Sequence, residues 1–431
     1  MMRIVATALL VLTVSLPLVT AAERPNIVVL FSDDAGYADF GFQPGVRPDM
    51  KRLTPHIDSL ARDGARLSCA YVSGCVCSPS RAGLMTGRYQ GRFGHDNNIP
   101  PGYMKSGLPL SESFGTRYLK ALGYKTGLVG KWHLGYPAGF HPNKRGFDWF
   151  YGCLQGARSY FPYEKPHPHR VIQENGRPTS ETGYVTDRLG DAACRFIQTH
   201  RSERFYLFVS FTAPHGPLHA KPEHLQALKK VQPVRRRKYA GMVKSMDENV
   251  GKVLATLEKT GLAENTLVIF TNDNGGQTKT GANNFPLKGR KGTLWEGGIR
   301  VPCAIRWPGR IKQGIVIDDP ISTIDFLPTF VALASGKVKP EWKLDGINVM
   351  PRLTGQQKSL PTRDLFWRRH GSSGPIAVRN GDWKVIHNRD KRGARPELYR
   401  IADDISEAKN LADRHPDRVV EMMARLKKWE S

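Results

Sequence analysis

Carboxylates are in short supply: Asp and Glu number 39 against 64 Lys and Arg, a formal net charge of +25 over 431 residues. Such a chain cannot be an acidic, cation-buffering protein, and its surface draws polyanions from a distance. Cysteine is also sparse, and none of the six falls in the paired spacing of a zinc site. Cys69, Cys75, Cys77, Cys153, Cys194 and Cys303 permit three disulfides in an oxidising compartment, although the step from Cys75 to Cys77 closes too small a loop to staple much. Past residue 22 no stretch approaches the roughly 20 uninterrupted apolar residues of a membrane span. Internal repeats and low-complexity tracts are missing, and so is any nucleic-acid-binding motif. The basic runs Arg235-Arg236-Arg237-Lys238 and Arg368-Arg369 read as well as solvated faces as they do as binding sites.

What is present begins with a leader. Arg3, an apolar run from Ile4 to Val19, and the small residues Thr20, Ala21 and Ala22 have the layout of a cleaved secretory signal over residues 1–22. The mature chain is therefore expected to be exported, periplasmic or secreted, with no membrane span left after cleavage. Its length suits one large domain and a smaller one.

A short apolar, β-branched run at 26–31 stops abruptly at Asp33-Asp34, reading as a buried strand that delivers two carboxylates to a loop. A helix follows with Thr54 as N-cap and Pro55 at its first position, then a strand over 66–72. Ser111 reads as the cap of another helix, ending near Gly123, and a strand at 124–129 leads to Lys131 and His133. A helix at 186–200 precedes a strand at 205–211 and then His215, and a further strand over 267–270 leads to Asp273-Asn274. This alternation predicts an α/β fold, a large mostly parallel sheet sandwiched by helices, whose strand ends gather one site. A helix is expected over 324–334, then a Pro/Gly/Lys-rich connection. The expected division is a catalytic domain over 23–358 and an α+β subdomain over 359–431, with short antiparallel strands, a hairpin loop at 388–395 and a terminal helix at 416–429.

The most informative segment is Cys77-Ser78-Pro79-Ser80-Arg81, followed by Thr86-Gly87-Arg88. Ser78 as N-cap and Pro79 at the first helical position would place Cys77 at a helix N-terminus, where free amides and the macrodipole favour an anion. Here the chain resembles the type I formylglycine sulfatases of the alkaline phosphatase superfamily, whose hallmark is complete in it. Further motifs follow the same pattern: Asp33-Asp34, Gly130-Lys131-Trp132-His133-Leu134-Gly135, Ala213-Pro214-His215, Asn272-Asp273-Asn274-Gly275 and Gly289-Arg290-Lys291-Gly292. Singly, the acidic pairs read equally well as turn caps.

The resemblance implies that Cys77 is oxidised to formylglycine by a maturation enzyme, leaving five cysteines, of which at least one is unpaired within the chain. It implies a divalent metal on Asp33, Asp34, Asp273, Asn274 and the modified Cys77. An all-oxygen set suits calcium or magnesium better than zinc, and the family favours calcium. It further implies that Lys131 and Lys291 bind sulfate oxygens and that His215 contacts the sulfate and helps protonate the leaving alcohol. Arg81 and His133 would support the formylglycine, with His133 as the base that regenerates it. The expected substrate is a sulfated carbohydrate. The competing readings are a phosphate or phosphonate ester hydrolase of the same superfamily and an inactive polyanion-binding homologue. His95, Arg158, His219 and His370 are candidate substrate contacts that read equally well as structural residues.

Overall fold

The computed structural model describes residues 24–165, 167–390 and 392–431. The leader expected over 1–22 lies outside them. Ten strands form the main sheet, in the order Ile315–Ile317, Ala65–Leu67, Ala304–Arg306, Thr266–Asn272, Asn26–Ser32, Phe205–Ser210, Lys125–Lys131, Trp149–Cys153, Gln173–Glu174, Arg177–Pro178. The five in the middle of that order, from Thr266–Asn272 to Trp149–Cys153, run parallel; Ala304–Arg306 and Gln173–Glu174 pair antiparallel at their flanks.

The sequence of the central strand, NIVVLFS, explains the layering. Ile27, Val29 and Phe31 enter one core with Phe208 and Ile269, while Val28 and Leu30 enter the other with Leu207 and Val268. Side chains alternate across a strand, so an unbroken apolar run serves a sheet covered on both faces. Among the described residues no helix is long and apolar enough to cross a membrane.

Several boundaries differ from expectation, for local reasons. The segment 66–72 splits between two sheets: Ala65–Leu67 joins the main one and Ala70–Tyr71 pairs with Ile321–Ser322. The helix expected from Ser111 starts only at Gly115, where a Cβ would meet Leu327 Cδ1 at 2.5 Å, so glycine lets it pack tightly. The helix expected over 324–334 is a 3-10 turn, Thr323–Asp325, capped by a Ser322/Asp325 capping box, and then Phe326–Leu333. None of the six cysteines is disulfide-bonded. Cys303 lies in one core, Cys153 in the other, and Cys69 and Cys75 under the C-terminal sheet.

That sheet is antiparallel, with Asp364–Arg368, Ile376–Asn380, Trp383–His387 and Glu397–Arg400 in sequential order. Trp367, Ala377, Ile386 and Tyr399 face the large domain, whereas Ile376, Val378, Val385 and Leu398 receive Met422 and Leu426 of the terminal helix Pro416–Glu430.

One buried carboxylate makes stability depend on pH. Thr54 does not cap the helix Pro55–Arg62; Asp247 instead accepts from the Ile57 amide at 2.8 Å and the His56 amide at 3.3 Å. Burial raises the Asp247 pKa to about 7, against the pull of those amides. A raised folded-state pKa contributes stability below the unfolded value near 4 and loses it as pH rises through 7. Asp247→Asn should therefore gain melting temperature relative to the parent at pH 8 and not at pH 4. Equal differences at the two pH values, read by calorimetry, would contradict this.

Candidate active site

The parallel strands end together, and each delivers a charged or polar group. Asn26–Ser32 leads into Asp33 and Asp34, Lys125–Lys131 ends on Lys131 itself, Phe205–Ser210 precedes His215, and Thr266–Asn272 precedes Asp273 and Asn274. The helix Cys77–Thr86 supplies the remaining group. It starts earlier than expected, with extended Val76 as N-cap and Cys77 at the first helical position. Ser78 does not cap: its amide donates to Asn98 Oδ1 and its hydroxyl to the His133 carbonyl. Pro79 remains tolerated because first-turn amides have no partner within the helix.

Around the Cys77 thiol the charges interleave. Lys131 Nζ lies 2.6 Å from Asp33 Oδ2, both fully buried. Lys291 Nζ lies 2.7 Å from Asp34 Oδ1 and 3.1 Å from Cys77 Sγ. Arg81, 1% exposed, donates to Asp273 Oδ2 from Nε and Nη2 and to the Lys131 carbonyl from Nη1, so its donors are spent on the protein. Three carboxylates and three basic groups thus balance. Asp34 and Asp273 are held below the ordinary carboxylate range: burial opposes this, but Lys291 acting on Asp34 and Arg81 acting on Asp273 outweigh it.

Asp33, Asp34, Cys77 and His215 each offer a ligand atom within 4.8 Å of the others, a group able to hold a metal ion. The sequence reading placed Asp273 and Asn274 in that set instead of His215. His215 Nε2 is 3.5 Å from Asp34 Oδ2. Asp273 Oδ1 accepts from the Asp34 amide at 3.2 Å. Asn274 donates to Asp34 Oδ1 at 2.8 Å, leaving its own Oδ1 buried with no partner among the described residues. A buried, unsatisfied carbonyl oxygen is costly, and beside three carboxylates it fits a hard cation.

His133 and His215 each have their tautomer set by a carbonyl, which can only accept. His133, held at φ 60°, places Nε2 3.1 Å from the Ile99 carbonyl, while its buried Nδ1 has no partner among the described residues. Burial first, then Lys131 and Arg81, hold it well below the usual histidine pKa, so it is neutral. Its ring occupies space only a glycine at 156 leaves, since a Cβ there would lie 2.5 Å from His133 Cε1. His215 Nδ1 lies 2.6 Å from the Gly216 carbonyl.

Of the candidate contacts, His95 is buried with Nε2 2.7 Å from Ser78 Oγ, and burial pushes it down to about 4. Arg158 is consumed by Glu181 at 2.6 Å. His219 Nδ1 lies 3.2 Å from Ser159 Oγ, and His370 is exposed.

Sequence reasoning missed the support of the Lys291 segment. Lys384, fully buried on the C-terminal sheet, bridges Glu296 at 2.8 Å and Glu407 at 2.9 Å, and Glu407 accepts from the Glu296 amide. Arg369 donates to the Gly292 carbonyl and Trp295 to Glu397. Apart from Lys384 and Glu407, 23 residues apart, these partners lie 77 to 111 residues apart along the chain, with no local pattern to reveal them.

A mostly parallel sheet between helices, with carboxylates, lysines and a helix-borne cysteine at its strand ends, defines a member of the alkaline phosphatase superfamily. The chain belongs to its sulfatase family of enzymes: the Sulfatase profile matches residues 25–337, and that of the N-sulphoglucosamine sulphohydrolase C-terminal region matches 290–430. The chain is 34% identical to N-acetylgalactosamine-6-sulfatase of Mus musculus over 396 residues, covering 85% of this chain and 72% of that protein. It is 32% identical to arylsulfatase J of Mus musculus over 372 residues, covering 84% of this chain but only 60% of that protein's length. Among solved structures, Ps i-CgsB in complex with k-i-k-neocarrahexaose superposes with a TM-score of 0.88 at 36% identity, over 95% of this chain and 93% of that one.

Proposed function

We propose that this chain, exported after loss of residues 1–22, hydrolyses sulfate esters on a sulfated carbohydrate, with formylglycine at position 77 and calcium bound beside it. Residues 23–358 form the catalytic domain in this reading, and residues 359–431 the subdomain that braces its Lys291 segment. The observation that carries it is the unsatisfied Asn274 oxygen among Asp33, Asp34 and Asp273, next to Cys77.

Asp33, Asp34, Asp273, Asn274 and the side chain at 77 would hold the cation, with magnesium a poorer match than calcium. When bound it supplies positive charge that polarises a sulfate oxygen and lowers the pKa of a nearby hydroxyl. The aldehyde, made from Cys77 by a maturation enzyme, supplies on hydration two hydroxyls on one carbon, one to attack sulfur and one whose deprotonation frees the sulfate again.

The other steps belong to the chain's own groups. Lys131 and Lys291 bind sulfate oxygens and offset the negative charge that grows on them. His215, with Nδ1–H committed to Gly216, has Nε2 as its free nitrogen, and in its protonated form it gives the Nε2 proton to the leaving alcohol. His133, with Nε2–H fixed on Ile99, keeps a bare lone pair on Nδ1 and acts as the base. Arg81 holds Asp273 and, through the Lys131 carbonyl, the end of that strand. The net charge of +25 favours encounter with a polyanion, and the names of the relatives support a sulfated sugar.

Comparing kcat/KM on 4-methylumbelliferyl sulfate and phosphate, then on a panel of defined sulfated saccharides, tests this. A preference for sulfate of at least about 100-fold is expected. The opposite preference would replace the reading with phosphate or phosphonate ester hydrolysis. Tight binding of sulfated chains without any turnover would replace it with an inactive polyanion binder.

A further inference from the structure

The 26-residue helix Val234–Lys259 opens with Arg235, Arg236, Arg237 and Lys238 and carries no acidic residue in its first turn. Cations there face the positive end of the macrodipole and a row of amides without helical partners, the reverse of what stabilises a helix start. A local rule broken this plainly marks a place where something else must compensate. Arg236 is answered within the fold: it is 6% exposed and donates from Nε to Asp49 at 2.8 Å, and from Nη1 to Asp39 at 2.8 Å and the Gly281 carbonyl at 2.7 Å. Its Nη2 is buried without a partner among the described residues. Arg235 is exposed and likewise has no partner among them. Arg47 is exposed too, its guanidinium held only loosely, 3.5 Å from Asp49.

Arg47, Arg235 and Arg236 are among the residues that line one cavity of about 240 Å³, with Thr278 and Asn283 on another side. Phe285, 61% exposed, stands beside it: a Cβ on Gly45, two residues before Arg47, would lie 3.0 Å from the ring. A lone exposed aromatic needs no explanation, but beside a basic cavity its flat apolar face can pack on the C–H face of a sugar ring. The loop that closes the cavity begins in the active site, where the Gln277 amide donates to the Asp34 carbonyl at 3.4 Å and the Lys291 amide to the Gly276 carbonyl at 3.2 Å. Lys238, on the same helix, lies near enough to His219, four residues beyond His215, for its charge to act on it.

We propose that this cavity is a second sulfate-binding subsite, which grips a sulfate on a sugar other than the one being cleaved, with Arg47 and Arg235 as anion contacts and Phe285 as the platform for the ring. The identity of the ligand rests on the sulfated-carbohydrate reading above. The subsite makes the enzyme select chains sulfated at more than one position, and it gives the basic helix start its counter-charge.

The test is calorimetric titration of the calcium-loaded full chain carrying Cys77→Ala, so that nothing turns over, with persulfated maltohexaose, unsulfated maltohexaose and inorganic sulfate. Arg47→Ala/Arg235→Ala should raise the Kd for the persulfated hexasaccharide by at least about tenfold while leaving that for inorganic sulfate in place. Phe285→Ala should weaken the hexasaccharide and not inorganic sulfate. Lys337→Ala/Lys339→Ala removes the same charge beyond the other end of the sheet, next to Gly336 and Leu122, and should change the hexasaccharide Kd less than about twofold. Equal weakening by both basic pairs, no weakening by the first, or equally tight binding of unsulfated maltohexaose would each overturn the subsite. Turnover of 4-methylumbelliferyl sulfate by the chain with Cys77 intact is assayed separately; its absence would remove the sulfatase reading and leave the subsite to be judged by the titration.

Discussion

Cys77→Ala lowers turnover of 4-methylumbelliferyl sulfate by at least about 10⁴-fold, a loss near 5.5 kcal/mol of transition-state stabilisation. Position 77 is where the helix start, both lysines and the carboxylates converge. The unmodified thiol is not an alternative nucleophile. Burial above all, then the Asp273 charge, push it up to about 12, so it stays protonated at neutral pH. Cys77→Ser separates attack from release: serine has one hydroxyl, so it can take up sulfate and release one equivalent of alcohol, but lacks the second hydroxyl that would clear it. Rapid-quench assay should show a stoichiometric burst and then no turnover for serine, and no burst for alanine. Because the side chain is 1% exposed and small, the alanine variant should keep its fold, which melting temperature checks. Alanine activity within tenfold of the parent would sink the assignment.

Exhaustive chelation should abolish at least about 10³-fold of the activity, and calcium should restore it. The reason is the charge balance of the site. Asp33 neutralises Lys131 and Asp34 neutralises Lys291, so without a cation the two lysines have little charge to offer a sulfate. A divalent cation on the carboxylates turns a balanced cluster into a cationic one. The same binding stabilises the fold, by about 2.7 kcal/mol when calcium stands at 100 times its Kd, seen as a rise in melting temperature. Asn274→Ala, which removes the unsatisfied oxygen and no charge, should weaken calcium binding about 10- to 100-fold while sparing stability in chelator. Activity that survives chelation, or an Asn274→Ala variant with unchanged calcium affinity, would contradict this.

Local chemistry made much of this legible beforehand. The apolar run before Asp33 read as a buried strand, and the strand-then-polar pattern repeated at Lys131, His215 and Asp273 placed these groups at the carboxyl ends of the strands. Boundaries were legible only where the deciding contact was local. Gly115 begins its helix because of Leu327, and the 66–72 segment divides because its two halves meet strands some 250 residues away. The same limit applied within the site. That Arg81 is spent on Asp273, that Asn274 has an oxygen to spare, and that Lys384 braces the segment bearing Lys291 are facts of packing between remote residues. The basic run at 235–238 read as well as a solvated face as it did as a binding site until the fold put it at a helix N-terminus beside a cavity.

The most direct measurement pairs peptide mass analysis of the segment containing Cys77 with active-site titration of the same preparations, matured to different extents. The account predicts that turnover rises in proportion to the aldehyde fraction and extrapolates to zero where the thiol is intact. Full turnover from a preparation whose residue 77 is entirely thiol would contradict it.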